Sequence, residues 1–302
     1  MSTANYPEDP RWREILNELS RIREQEDYRA ESVAFIRQQL QSLDDRVRGG
    51  AALAAEGCLF EPYILDMLMD LVEHDPNLAI RKAAIQSLQG VIREGVEQQL
   101  EDAIGPGADF EYAEDWMEVE SDRLRDDYLR VRNLLLKLVE DEMEPMEVRE
   151  AALASISDLG FLPVVREWID YFIQHPRKSA RLVALHAMGK YPHYWEAQLG
   201  QFIAPETDKA LLMEAISASY ASQSARLAKR IETILGHPDP DVLSYALMAL
   251  ANINQTKNLG EILQKFSLHP DPRVQEAAKD AIEHFSRKNF DQYLRKELGY
   301  DD

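Results

Sequence analysis

The sequence predicts an all-α fold, a right-handed α–α superhelix of stacked helical hairpins. Three observations carry this: a phrase recurring at a nearly constant interval, apolar residues at helical period around it, and turn chemistry where successive helices would meet. In its fullest form the phrase reads Asp-x-x-Val-Arg-x-x-Ala-x-x-Ala-Leu. Copies run over Asp45–Ala51, Asp75–Ala84, Met146–Ala152, Ser179–Ala184, Pro238–Ala246 and Pro270–Ala278. A small residue three places after the Arg slot anchors each copy: Ala51, Ala84, Ala152, Ala184, Ala215, Ala246 and Ala278. Successive separations are 33, 68, 32, 31, 31 and 32 residues, so one interval is about double.

Each element follows from local pattern. Four places after each anchor comes Ala55, Leu88, Ile156, Met188, Ser219, Leu250 or Ile282. Positions i and i+4 share a helix face, and a small anchor lets a neighbouring helix come close. Ser219 is the weakest member of this set. Between anchors lie second amphipathic segments at three- and four-residue steps, over 63–72, 164–173, 227–235 and 259–266. His175-Pro176, Gly236-His237-Pro238 and His269-Pro270-Asp271-Pro272 supply the stops and turns between them. Residues 1–43 read as an N-terminal helical cap, with Trp12, Ile15, Leu16 and Leu19 on one face and Val33, Phe35, Ile36 and Leu40 on the next. Residues 286–302 read as the opposite cap, Phe290 and Leu294 turned inward and Arg287, Lys288, Arg295 and Lys296 toward water. The whole chain, 1–302, is thus expected to be one solenoid, with repeats over 44–285.

These residues resemble the HEAT repeat family, and more closely the short HEAT-like repeats of the phycobilisome-lyase type. The resemblance rests on the Asp-Pro-x-x-Val-Arg start, the Ala pair and the period of about 32 residues. It implies an α-solenoid and leaves function open, because such repeats serve scaffolds, enzymes and nucleic-acid binders alike.

Charge individualises the chain. The 302 residues carry a formal charge of −20. Residues 1–160 hold 36 acidic and 17 basic side chains, residues 161–302 hold 18 and 17, so nearly all the excess lies in the first half. Such a field repels nucleic acid and anionic lipid and attracts a basic protein surface. From Glu94 to Asp122 there are eleven acidic residues and no Lys or Arg. This run falls in the doubled interval, and residues 103–121 read as an insertion between the two helices of one repeat. Phe110, Tyr112 and Trp116 stand there among Asp115, Glu118 and other acids, a mixture suited to anchoring a basic partner. The same loop could instead be a solvated insertion, or occupy a basic strip of its own protein. That strip consists of polar positions on the second helices: Arg166, Asp170, Arg226, Lys229, Arg230, Glu261 and Lys265.

The Arg slot (Arg48, Arg81, Arg149, Arg181, then Leu212, Leu243 and Gln275) reads either as a row of cations for a ligand or as a set of structural bridges to turn carboxylates. The bridging reading is preferred. Cys58 follows Gly57 at a helix end and reads as a small buried apolar residue. His74, His175, His237 and His269 fall at repeat ends, where they can complement helix C-termini. Neither a His-Glu-x-x-His motif nor a His-Glu pair occurs, and Gly105-Pro106-Gly107 lacks the context of a phosphate loop. No cofactor or metal is expected. With no long apolar run and no export-type N-terminus, a cytoplasmic, non-catalytic interaction scaffold is the expected function. The resemblance also allows a lyase- or chaperone-like protein acting on a chromophore or its carrier, which should present an enclosed apolar pocket with convergent polar groups. Nucleic-acid binding is disfavoured by the net charge.

Overall fold

The computed structural model describes residues 11–100 and 115–298, with side chains over 11–100 and 123–288. It forms two compact units, Met1–Val165 and Arg166–Asp302. All regular structure among the described residues is helical. In the first unit α1 (Trp12–Glu24), α3 (Asp45–Ala54), α5 (Leu78–Glu97) and α7 (Met146–Ser155) are first helices, each packing on the next. Their second helices are α2 (Ala30–Gln39), α4 (Ile64–His74) and α6 (Asp115–Glu140). The second unit contains most of α8 (Pro163–Ile173), the first helices α9 (Lys178–Met188), α11 (Lys209–Ala218), α13 (Pro240–Ile253) and α15 (Pro272–Leu298), and the second helices α10 (Glu196–Phe202), α12 (Ala225–Glu232) and α14 (Leu259–Phe266). This is the all-α, HEAT-like hairpin architecture.

Helix starts are set by side-chain caps. Asp44, Asn77, Asp208 and Asp239 each accept the backbone N–H two residues on, so an orphan donor of the first turn is satisfied. Asp271 does the same for Arg273. The His-Pro turns act differently from the sequence expectation. His175, His237 and His269 each accept the N–H of residue i+2 on Nδ1, at 3.1–3.2 Å. Proline removes one donor and the ring nitrogen satisfies the next, so these histidines serve as acceptors within the turn.

Every anchor alanine has zero exposure. Three residues further on, Ser87 and Ser155 donate to main-chain carbonyls of the preceding first helix, Ala52 at 2.7 Å and Ile85 at 3.1 Å. In the second unit alanines (Ala187, Ala218, Ala249 and Ala281) occupy that register, all buried. Ser219 is equally buried, its hydroxyl returned to the Ala215 carbonyl of its own helix at 2.8 Å.

The Arg slot is structural where its contacts are seen. Arg48 Nε donates to Asp75 Oδ2 at 2.6 Å and Nη1 to the Ser42 carbonyl at 2.7 Å. Arg81 donates to the Val72 carbonyl (2.6 Å) and to Glu144 (2.8 Å), and Arg149 to the Val139 carbonyl (2.9 Å). The slot thus satisfies carbonyls at the end of the preceding second helix or in the turn after it, groups that the helix itself leaves orphaned. Gln275 takes over this task at the His269 carbonyl (2.6 Å), whereas Leu212 and Leu243 are simply buried. Burial works against charge on Arg48, but hydrogen bonds to Asp75 and Asp45 outweigh it and hold the guanidinium above its ordinary pKa. Arg181 departs from the set, because its Nε is buried without a hydrogen-bond partner.

The doubled interval is one enlarged hairpin. α5 has 20 residues and α6 has 26, against 10 or 11 in α3, α4 and α7. α6 begins at Asp115, eight residues before the helical period resumes visibly at Arg123, because acidic residues mask periodicity in its first two turns. At the other end α15 runs unbroken from the last repeat into the region read as a separate cap. Arg287 is exposed and pairs with Glu283, but Lys288 turns inward to the Asn252 carbonyl, contrary to the expectation of a water-facing lysine. Phe290, Leu294, Arg295 and Lys296 have side chains outside the described ones.

Two outcomes are expected from this packing. A Cβ on Gly95 would fall 2.1 Å from the enclosed Tyr128 ring. Gly95→Ala should therefore lower stability in urea titration, its overpacking of about 1–3 kcal/mol exceeding a helix-propensity gain of about 1 kcal/mol. The Asp44, Asp208, Asp239 and Asp271 carboxyls lie below their ordinary pKa, held there first by side-chain hydrogen bonds from Arg46, Lys178, Lys209 and Arg273 respectively. A depressed folded pKa means the stabilisation is complete above the unfolded value of about 3.9 and is lost as pH falls through the folded one. Asp239→Asn keeps a cap without the titration, so below about pH 4 its thermal midpoint should fall less steeply than that of the parent chain.

Candidate protein-binding surfaces

In the first unit, α2 and α4 flank an open groove of about 1060 Å³. α4 reaches its shape because Ile64, Leu65, Leu68, Leu71 and Val72 fall on one face and are buried. That leaves Asp66, Asp70, Met67 and Tyr63 at the groove. The α2 wall carries Ala34, Arg37 and Gln38, and Leu43 in the following turn is 63% exposed. The other flank of α4 is tied to α6. Arg130 pairs with Asp66 at 2.5 Å, Lys137 with Glu73 at 3.7 Å, and Arg123 Nη2 donates to the Phe60 carbonyl at 3.1 Å. The hydrogen bond from Arg130 to Asp66 raises the guanidinium pKa. Among the described residues no ion pair bridges α2 to α4, so that side of α4 stays open to solvent. The cations at the groove are unequal. Arg48 is engaged by Asp75, Asp45 and Ser42, whereas Arg37 is exposed and makes no ion pair among the described residues.

Tyr63 is unusual twice over. Its φ of +72° puts a bulky residue in the left-handed region, and its side chain is 67% exposed. Such a backbone costs about 1–3 kcal/mol in a non-glycine residue and persists where surroundings over-determine it. Here the Ile64 N–H bonds to the Glu61 carbonyl and the Met67 N–H to the Tyr63 carbonyl.

The sequence-derived candidates separate into three groups. Phe110 and Tyr112 lie outside the described residues. Asp115, Trp116 and Glu118 occupy the first turns of α6, with side chains outside the described ones. Arg226, Lys229 and Arg230 on α12 are exposed, as are Glu261 and Lys265 on α14. α12 buries Leu227, Ala228 and Ile231, which leaves its cations outward. Arg166 and Asp170 are engaged locally instead. The Arg166 guanidinium lies 4.4 Å from the centre of the Tyr194 ring, and Asp170 accepts from Trp195 Nε1 at 2.9 Å. Trp195 is 2% exposed, at the start of α10. The segment Tyr191–Trp195, which sequence reasoning passed over, thus organises this part of the second unit. Its signal was four aromatic rings within five positions after a helix end.

Burial pushes the Cys58 thiol up to about 12, so it is an inert core group. No described helix is long and apolar enough to cross a membrane.

No family model matches the sequence, and no curated protein matches it. Among solved structures, YibA of E. coli aligns over 94% of this chain and 100% of its own, at 13% identity and a TM-score of 0.48. The CpcE–CpcF complex of phycocyanin lyase from Nostoc sp. PCC7120 aligns over 94% and 98%, at 15% identity and 0.43. The HEAT-like repeats protein of the archaeon Thermococcus onnurineus NA1 aligns over 94% and 99%, at 15% and 0.33. The HEAT-like character of this chain rests on its own hairpins, anchors and caps.

The Asp170–Trp195 bond generates a prediction. Asp170→Ala should lower stability by about 1.5–3 kcal/mol in urea titration, because a charged acceptor is lost from a buried indole N–H, while Asp170→Asn retains most of it.

Proposed function

We propose that this chain is a non-catalytic scaffold that holds a partner protein through a basic surface of that partner, in the cytoplasm. The observation that carries the reading is the division of labour among its acids. Asp44, Asp75, Asp208 and Asp239 are consumed by caps and inter-repeat bridges. The charge excess of residues 1–160 remains, and α4 carries exposed acids, Asp70 on the groove side and Asp66 and Glu73 in partly exposed pairs with Arg130 and Lys137 of α6. Repeated hairpins provide a long, rigid surface for such contacts, and the field speeds encounter with a basic protein while opposing nucleic acid.

A carbodiimide, which joins carboxylates directly to amines, tests this in a mixture of the full chain and its captured partner. The expected result is cross-links from Asp and Glu of residues 1–160 to partner lysines, lost when salt is raised. Cross-links confined to lysines of the second unit, or a tightly held cofactor with turnover, would overturn the reading.

The acidic–aromatic insertion is proposed as a recognition element of the same scaffold. Deleting residues 108–120 should weaken partner binding, and Trp116→Ala should cost about 2 kcal/mol or more as measured by calorimetry. Unchanged affinity in both variants would reduce the loop to a solvated insertion, and tighter binding after deletion would make it a competitor for the partner's site.

A further inference from the structure

We infer that the α2–α4 groove is the docking site for a basic segment of the partner, one that inserts a large apolar side chain between flanking Lys or Arg residues. This rests on the scaffold reading and adds where, and by what chemistry, the partner is gripped.

The groove combines two kinds of surface. Tyr63, Met67 and Leu43 offer apolar area, two of them more than 60% exposed. Glu61, Asp66 and Asp70 stand exposed on or beside the α4 wall, and a partner cation can approach them from the open side. Opposed to these acids are Arg37, His74, whose Nδ1 lies 3.0 Å from Asp70, and Arg130, which pairs with Asp66 from the α6 flank at 2.5 Å. The charge of Arg48 is already matched by Asp75 and Asp45. With Asp66 and Arg48 so paired, Glu61 and Asp70 face Arg37, a small acidic excess that an occupant with Lys or Arg matches and one with its own carboxylates does not.

That asymmetry also argues against the chain's own remaining segments. Residues 1–10 carry Glu8 and Asp9, residues 101–114 carry five acids, residues 299–302 carry two, and none of the three contains Lys or Arg. None of these three segments supplies the complementary charge, and the occupant is assigned to a basic segment of the partner.

Tyr63 supplies the second line of argument. Glycine would adopt its φ without strain, yet the position holds an aromatic whose ring makes no hydrogen bond or ring contact among the described residues. The ring contributes little to the fold for the strain it brings. Strain retained at an exposed aromatic beside a groove is the pattern of a contact residue.

The groove makes Tyr63→Gly an informative variant, because it removes the ring and relieves the backbone together. The probe is a fluorescein-labelled peptide of alternating Lys and Leu, with a Glu/Leu peptide of the same length as control. Anisotropy on the full chain should show binding of the Lys/Leu peptide alone, weakened by salt. Tyr63→Gly should reduce that affinity about tenfold while the thermal midpoint stays or rises, and Asp70→Lys should reduce it about threefold. Methyl resonances of Met67 and Leu43 should shift on binding. Equal binding of the Glu/Leu peptide, no binding of either, or unchanged affinity in Tyr63→Gly would overturn the inference. If the cross-linked partner still binds the Tyr63→Gly chain as tightly, the groove assignment falls and the scaffold reading stands. If no partner cross-links to residues 1–160, the scaffold reading falls as well.

Discussion

The close approach of successive first helices is the constraint on which each unit depends. Helix backbones can come close only where the facing side chains are small, and the anchor alanines with the Ser or Ala three places on provide that surface once per repeat. The contact is dry, so any hydroxyl within it must find an acceptor. Ser87 and Ser155 find it across the interface and Ser219 finds it within its own helix. A larger residue at any of these positions would force the helices apart, and the register of the caps and bridges around them would go with it.

Around that contact the polar groups form a second periodic system. Capping aspartates hold the first N–H groups, the Arg slot or Gln275 holds terminal carbonyls of the previous helix or its turn, and turn side chains link one repeat start to the next. Asn77 donates to Asp45, Lys178 pairs with Asp208, and Lys209 with Asp239 and Asp241. Arg273 then continues from Asp241. Many of these pairs are partly exposed and individually weak. Their value lies in satisfying main-chain groups that a stack of short helices would otherwise leave bare.

Such a system absorbs charge at helix starts and takes little from the outward sides of second helices, which make local contacts of their own, as between α4 and α6. There and in the adjoining turns the individuality of the chain lies: acids on α4 with an exposed tyrosine at its start, cations on α12, an aromatic cluster between α9 and α10. The candidate binding surfaces are therefore features of the second helices and the turns beside them, and the first helices belong to the fold.

The amino-acid sequence by itself determined the helical hairpins, their period, the anchors and the doubled second interval, because helix periodicity, small-residue spacing and cap chemistry are local properties that repeat. It also favoured bridging arginines, since a slot recurring with the fold belongs to the fold. Tertiary structure decided what depends on distant neighbours. Asp170 is a candidate groove carboxylate on its own helix, yet Trp195, 25 residues away, claims it. The His-Pro histidines show a helix-end position in sequence, but only backbone geometry shows that they accept an N–H. Tyr63 reads as the first residue of an amphipathic helix, and its left-handed backbone appears only once the turn before α4 is closed. The α2–α4 groove was not legible at all, because an opening between two helices is set by where both are held, and each is held by different partners.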